Sequence, residues 1–126
     1  MVKEMNYWVF PAMPNRLRNA TSKRILAIIT QETHTSIEDI ISRTRKREVV
    51  QARQFYHVFM REYTKLSLSR IGEMTGGRDH ATVLHSLKTV RNLIETDRNI
   101  AFMFRLMKSK IESEIDVNQT ELDLAQ

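Results

Sequence analysis

Gly76 and Gly77 stand side by side within a helix-forming sequence, and Arg78-Asp79-His80-Ala81-Thr82-Val83-Leu84-His85 follow directly. A double glycine ends the short apolar pattern before it, because glycine accepts the left-handed backbone of a sharp helix reversal. The next helix opens on hydrogen-bonding side chains before its apolar stripe begins. Short helix, tight turn and polar helix start are the layout of a helix-turn-helix, whose second helix offers its first residues to base edges.

The rest of the chain is read around that turn. Residues 1–15 hold both prolines, Pro11 and Pro14, and read as an extended arm with the apolar piece Tyr7-Trp8-Val9-Phe10. From about Asn15 to Glu32, Leu17, Ile25, Ile28 and Ile29 recur at helical spacing, with Ala20 and Leu26 widening the face. Ser36-Ile37-Glu38-Asp39 resembles a capping box, with an acid in its fourth place, for a short helix carrying Ile37, Ile40 and Ile41. A basic run, Arg43-Thr44-Arg45-Lys46-Arg47, leads into a helix from about Glu48 to Tyr63. There Val49, Ala52, Tyr56, Phe59, Met60 and Tyr63 follow the helical period.

Ser67 or Ser69 caps a helix of barely two turns, with Leu68, Ile71 and Met74 inward. The helix after the glycines runs from about Asp79 to Glu95 and is buried through Val83, Leu84, Leu87, Val90 and Ile94. Asp97 or Asn99 starts a last helix with Ile100, Phe104, Met107 and Ile111 on one face. No segment alternates as a strand would, so the fold expected is all-α with about six helices. The domain spans 16–111, followed by an acidic tail over 112–126.

Charge narrows the partner. The last 15 residues hold five acids and no Lys or Arg, so the other 111 carry 20 basic against 10 acidic groups. A polyanion suits that balance, although Lys and Arg also serve simply to solvate a surface. No stretch reaches the roughly 18–20 apolar residues of a membrane span. With no cysteine there is neither a disulfide framework nor a thiolate metal site. A soluble protein of the cytoplasm is the expectation.

The polar helix start carries the candidate chemistry. Arg78 can bond bidentately to guanine, Asp79 can accept from a base amino group, and His80 can donate to a base or a phosphate. Asp79 has a competing use as a helix cap, and His80 as a solvated surface imidazole. The Ala81 methyl suits thymine, and Thr82 can reach a phosphate. Arginines of the basic run can enter a narrow minor groove, and those on the following helix can hold phosphates; a merely solvated face is the alternative.

The stretch from Leu68 to His85, with its GGRDH core, resembles the signature of the C-terminal DNA-binding domain of the bacterial replication initiator DnaA. The likeness reaches upstream through Ile40-Ile41-Ser42, the basic loop and Arg53-Gln54, over roughly residues 22–110. It implies that Arg45 enters the minor groove and that Arg47, Arg53, Gln54 and Arg61 hold the backbone. Arg78, Asp79, His80, Ala81 and Thr82 would then lie in the major groove. The chain departs from the family pattern at Ala81 (usually threonine), at Thr44 and Gln51 (usually basic), and at Ala52 (usually proline). The phosphate grip implied is weaker, and the ATPase module of the initiator is not in this sequence.

Enzyme activity is not expected. There is no phosphate-binding G-x-x-x-x-G-K-[ST] loop, and His80 and His85 are five apart, unlike the i,i+4 pair of a helical zinc site. Asp79 stands without the clustered carboxylates of a metallonuclease, so no cofactor and no metal are expected. The leading expectation is a monomeric, sequence-specific reader of a short asymmetric site in double-stranded DNA, in replication initiation or its regulation, with replication proteins as further partners. The alternative is a protein–protein adaptor or transcriptional regulator with only non-specific DNA affinity.

Overall fold

The computed structural model describes the backbone of residues 15–125 and the side chains of residues 22–114. Apart from Asn15, the arm expected at residues 1–15 lies outside the described residues. So do the side chains of Leu17, Ala20 and the Glu121-Leu122-Asp123-Leu124 stretch. Six helices and no strand are found among the described residues: α1 (Asn15–Thr33), α2 (Ile37–Ile41), α3 (Arg47–Tyr63), α4 (Leu68–Met74), α5 (His80–Thr96) and α6 (Arg98–Ala125). The all-α expectation holds.

Local chemistry sets most of the boundaries. Ser36 accepts from the Asp39 amide at 3.0 Å, and Ser67, not Ser69, accepts from the Arg70 amide at 3.1 Å. Asp97 accepts from the Asn99 and Ile100 amides at 2.9 and 3.2 Å and so opens α6. At the end of α1, His34 takes a left-handed φ of 56°, and the Thr35 amide reaches back to the Thr30 carbonyl at 3.2 Å. Helix α6 continues through the acidic residues after Glu112 as far as Ala125.

Helix α3 is the axis of the core. Every residue from Phe55 to Met60 is buried, and α1, α2, α4 and α5 all pack against it. Its amphipathic pattern is therefore a minimum description, since a helix enclosed on several sides buries more than one stripe. From α6, Phe104 stacks on Phe59 with ring centroids 4.9 Å apart and meets Phe55 at 6.4 Å. Such aromatic contacts add to a burial term of roughly 25 cal/mol per Å².

One inward position of α5 differs from expectation. Leu84 is 40% exposed, whereas Ser86 is only 3% exposed and takes the place beside Val83 and Val90. Val83, Ser86 and Val90 follow the i, i+3, i+7 rows of one face, and Leu84 falls on the neighbouring row. Helix α5 thus presents His80, Ala81, Leu84, His85 and Lys88 outward. No helix among the described residues is long and apolar enough to cross a membrane.

Candidate nucleic-acid interface

The α4–α5 turn is tight because three glycines allow it. Gly76 and Gly77 take φ values of 82° and 76°, the left-handed region that favours glycine. Gly72, inside α4, is needed for a different reason. Its carbonyl accepts from the Arg78 amide at 2.9 Å, and a Cβ on it would sit inside the Arg78 carbonyl oxygen. A Cβ on Gly76 would likewise strike the Ile41 carbonyl oxygen, so the turn closes directly against the end of α2.

Past the turn, Asp79 is the N-cap of α5. One carboxylate oxygen, Oδ1, accepts from the Thr82 amide at 2.9 Å and from the Thr82 hydroxyl at 3.0 Å. These bonds hold the Asp79 carboxyl below its ordinary range. Of its two sequence-level uses, capping is the one formed in the free protein. His80, Ala81 and Thr82 are exposed on the opening turn.

Two arginines expected to meet DNA turn inward instead. Arg53 is only 6% exposed. Its Nε donates to the Ile40 carbonyl at 2.6 Å, and its Nη2 to the carbonyls of Asp39 and Ser42 at 3.1 Å each and of Thr44 at 3.4 Å. The last carbonyls of a helix lack intrahelical partners, and the guanidinium of Arg53 supplies them for α2. In the free protein, then, the guanidinium of Arg53 is taken up by backbone carbonyls. Arg78 donates through Nη2 to the same Ser42 carbonyl at 2.6 Å and through Nη1 to the Thr75 carbonyl. Burial, then the nearby charge of Arg43, lowers the Arg78 pKa; burial, then Arg78, lowers that of Arg53. In the free protein Arg78 is therefore bonded to backbone rather than extended toward a base.

Sequence reasoning missed the polar group beneath this joint. His57, fully buried in α3, meets Ser86 Oγ of α5 at 2.8 Å through Nδ1 and Thr75 Oγ1 of the turn at 2.9 Å through Nε2. The Thr75 hydroxyl donates to the Ile71 carbonyl at 2.8 Å. A neutral imidazole fits this chain, with Ser86 donating to Nδ1 and Nε2–H donating to Thr75. Burial foremost, then Arg78 and Arg53, lowers the His57 pKa to about 3. The available signal was Ser86 at an inward position of α5, a place an apolar residue would otherwise fill.

The basic loop leaves this joint at Ser42. Exposed Arg45 and Arg47 emerge over a cleft of about 360 Å³, lined with them by Val50, Gln51, Gln54 and Leu93. Loop, α3 and α5 meet there. Arg61 is exposed in the last turn of α3, on the side of Gln54 but about 21 Å along the axis from Arg47 at 1.5 Å per residue. Lys46, at the N-cap of α3, makes no side-chain capping bond.

Some of the cations find carboxylates and others do not. Among the described residues, Arg43, Arg45, Lys46, Arg47, Arg53, Arg61, Arg78 and Lys88 take part in none of the ion pairs. On the α1–α6 side, Arg24 meets Glu114 at 3.2 Å, Lys110 meets Glu32, and Lys108 meets Glu62 at 3.2 Å and Glu112 at 3.4 Å. No group of three or more His, Asp or Glu side chains suited to a metal occurs among the described residues.

Comparison with known proteins identifies the family of the helix-turn-helix. The family model described as the bacterial DnaA protein helix-turn-helix matches residues 22–90. A chromosomal replication initiator protein DnaA from a Nostoc species is 42% identical over 93 residues, covering 74% of this chain and 20% of the relative. The protein of that name from Flavobacterium psychrophilum is 46% identical over 84 residues, or 67% of this chain and 18% of the relative. That from Bacteroides thetaiotaomicron is 38% identical over 99 residues, or 79% and 20%. The chain spans about a fifth of the length of these curated relatives.

Proposed function

The chain belongs to the bacterial DnaA helix-turn-helix family, and on that premise we propose that it binds double-stranded DNA at a short asymmetric site. The opening of α5 enters the major groove, with His80, Ala81 and Thr82 toward base edges and phosphates, and Asp79 available through the oxygen it does not use for capping. Arg45 enters the adjacent minor groove. Arg47, Gln54 and Arg61 line the α3 face and hold phosphates, aided by the α3 amides that no side chain caps. Arg53 serves the joint between α2, loop and α3 rather than a phosphate.

The observation that carries this reading is the contrast in pairing. Among the described residues, the cations of the loop and of the start of α5 meet no carboxylate, while Arg24, Lys108 and Lys110 on the α1–α6 side do; Lys23, Arg98 and Arg105 on that side stay unpaired. Unpaired cations flanking an exposed polar helix start suit a polyanion that supplies the missing charge. The protein acts as one copy per site, without catalysis, in chromosome replication initiation or its regulation, and resides with the nucleoid in the cytoplasm. Replication proteins are its further partners.

Selection from a random duplex library tests this. The expected product is one short, non-palindromic motif with an A·T-rich end, bound by one protein per duplex in sedimentation. Salt-labile binding without any motif overturns sequence-specific reading, and a palindromic motif overturns the monomer.

A further inference from the structure

We propose that Arg78 is a positioning residue rather than a base reader: by bridging the Thr75 and Ser42 carbonyls, it sets the spacing between the basic loop and the opening of α5. The inference rests on the reading of loop and helix as two halves of one DNA site.

Ser42 is where the two halves meet. It is the C-cap of α2 and the root of the loop that carries Arg43 and Arg45 and leads to Arg47 at the start of α3. Its carbonyl has two lone pairs, and two guanidiniums use it: Arg53 from α3 at 3.1 Å and Arg78 from the turn at 2.6 Å. Arg53 thereby ties the loop root to the core, and Arg78 ties the same atom to the helix-turn-helix. The second Arg78 bond, to Thr75, fixes the guanidinium on its own side of the joint. A planar fork holding one carbonyl from each of two segments 33 residues apart acts as a strut between them.

The surroundings leave little play. Gly76 admits the Ile41 carbonyl at a distance no Cβ permits, and Thr75 is held from below by His57. For Arg78 to read a guanine with its fork, both terminal nitrogens would have to turn away from these carbonyls. That rotation would take this donor from the Thr75 carbonyl and leave the Ser42 carbonyl with Arg53 alone, which opposes it. What the strut controls is geometric: the loop enters one groove, α5 enters the next, and the protein fits DNA only if their separation matches.

Three measurements on the full chain test the proposal, using Arg78→Lys and Arg78→Ala with a fold check by circular dichroism. First, amide hydrogen exchange without DNA should speed up at residues 43–46 by about tenfold or more in both variants, with core α3 amides unchanged. Second, on the duplex selected by wild type, each variant combined with Arg45→Ala should lose clearly less affinity than the two single losses multiplied together, by about threefold or more. Third, one base pair inserted between the two halves of that duplex should weaken wild type strongly and the Arg78 variants less. Unchanged loop exchange overturns the strut. Loss of preference at a single guanine, additive with Arg45→Ala, shows a base reader and overturns the proposal. If wild type selects no motif, the DNA reading itself has failed, and the exchange measurement still decides whether the strut exists.

Discussion

The two ends of helix α3 handle charge in opposite ways. At its N-terminal half, Arg47 is exposed without an ion pair, and Arg53 is buried against carbonyls, with Arg78 beside it and no carboxylate among their described partners. At its C-terminal end, Glu62 is buried and meets Lys108 at 3.2 Å; the Tyr63 hydroxyl donates to Glu112 at 2.8 Å and accepts from Lys108 at 3.2 Å. The Lys108 ammonium also lies 5.3 Å from the centre of the Tyr63 ring. Where that end faces α6, its charges meet partners within the protein and fasten α6 to α3, although exposed Arg61 in the same turn is in no ion pair. The other satisfies its donors with neutral backbone and keeps its positive charge for a partner. A cation satisfied by carbonyls still projects a field, and one satisfied by a carboxylate largely does not.

The joint at the N-terminal side can be broken most severely at Gly72. Gly72→Ala forces a Cβ into the Arg78 carbonyl oxygen, a backbone atom that cannot swing aside. The expected loss of stability in urea unfolding is about 3 kcal/mol, together with loss of specific DNA binding. Gly77→Ala has a left-handed φ of 76° but open space around the added methyl, so about 1 kcal/mol is expected there. Equal losses at the two glycines would mean that backbone strain, not the close approach, governs this turn.

The next effect separates the two sides by binding. His80→Ala should weaken the selected duplex by about 2 kcal/mol while leaving non-specific binding nearly intact. Lys110→Ala, which removes a full positive charge from the α6 side, should change neither, because Glu32 already pairs with it. If Lys110→Ala weakens DNA binding as much as His80→Ala, the assignment of the two faces is wrong.

Titration should split the helix as well. The His57 pKa in the fold, about 3, lies below the ordinary 6.5, so its contribution is complete above pH 6.5 and is lost as pH falls toward 3. Burial raises Glu62 to about 8 from an ordinary 4.5, against the pull of Lys108, so its contribution is complete below pH 4.5 and is lost as pH rises through 8. Each proton changes stability by about 1.4 kcal/mol per pH unit inside its window. Urea unfolding across pH should show His57→Gln flattening only the acid limb and Glu62→Gln only the alkaline one. Flattening of both limbs by one variant would show that the two ends are coupled. The smallest effect belongs to Arg24→Ala, whose exposed pair with Glu114 should contribute under about 1 kcal/mol and nothing to DNA affinity.

Much of this architecture could be read from local pattern. The helix starts at Ser36, Ser67, Asp79 and Asp97 follow from oxygen acceptors placed before free amides, and the Gly76-Gly77 reversal follows from the one residue type that tolerates its backbone. These are short-range effects, settled within four residues, so the amino-acid order alone determines them. The exposure of His80, Ala81 and Thr82 at the start of α5 was equally legible from the polar run.

Long-range partners were not. Arg53 and Arg78 look like surface cations, and only the arrival of Ser42, 11 and 36 residues away, turns them inward. Leu84, expected inside, faces outward, and Ser86 is buried because a buried imidazole needs a hydroxyl partner that no apolar residue supplies. The sequence by itself determined about six helices, the candidates for their caps and the turn between α4 and α5. The tertiary structure alone decided which cations are struts and which remain open to a partner, because a guanidinium takes the nearest acceptors, and those come from segments that only folding brings together.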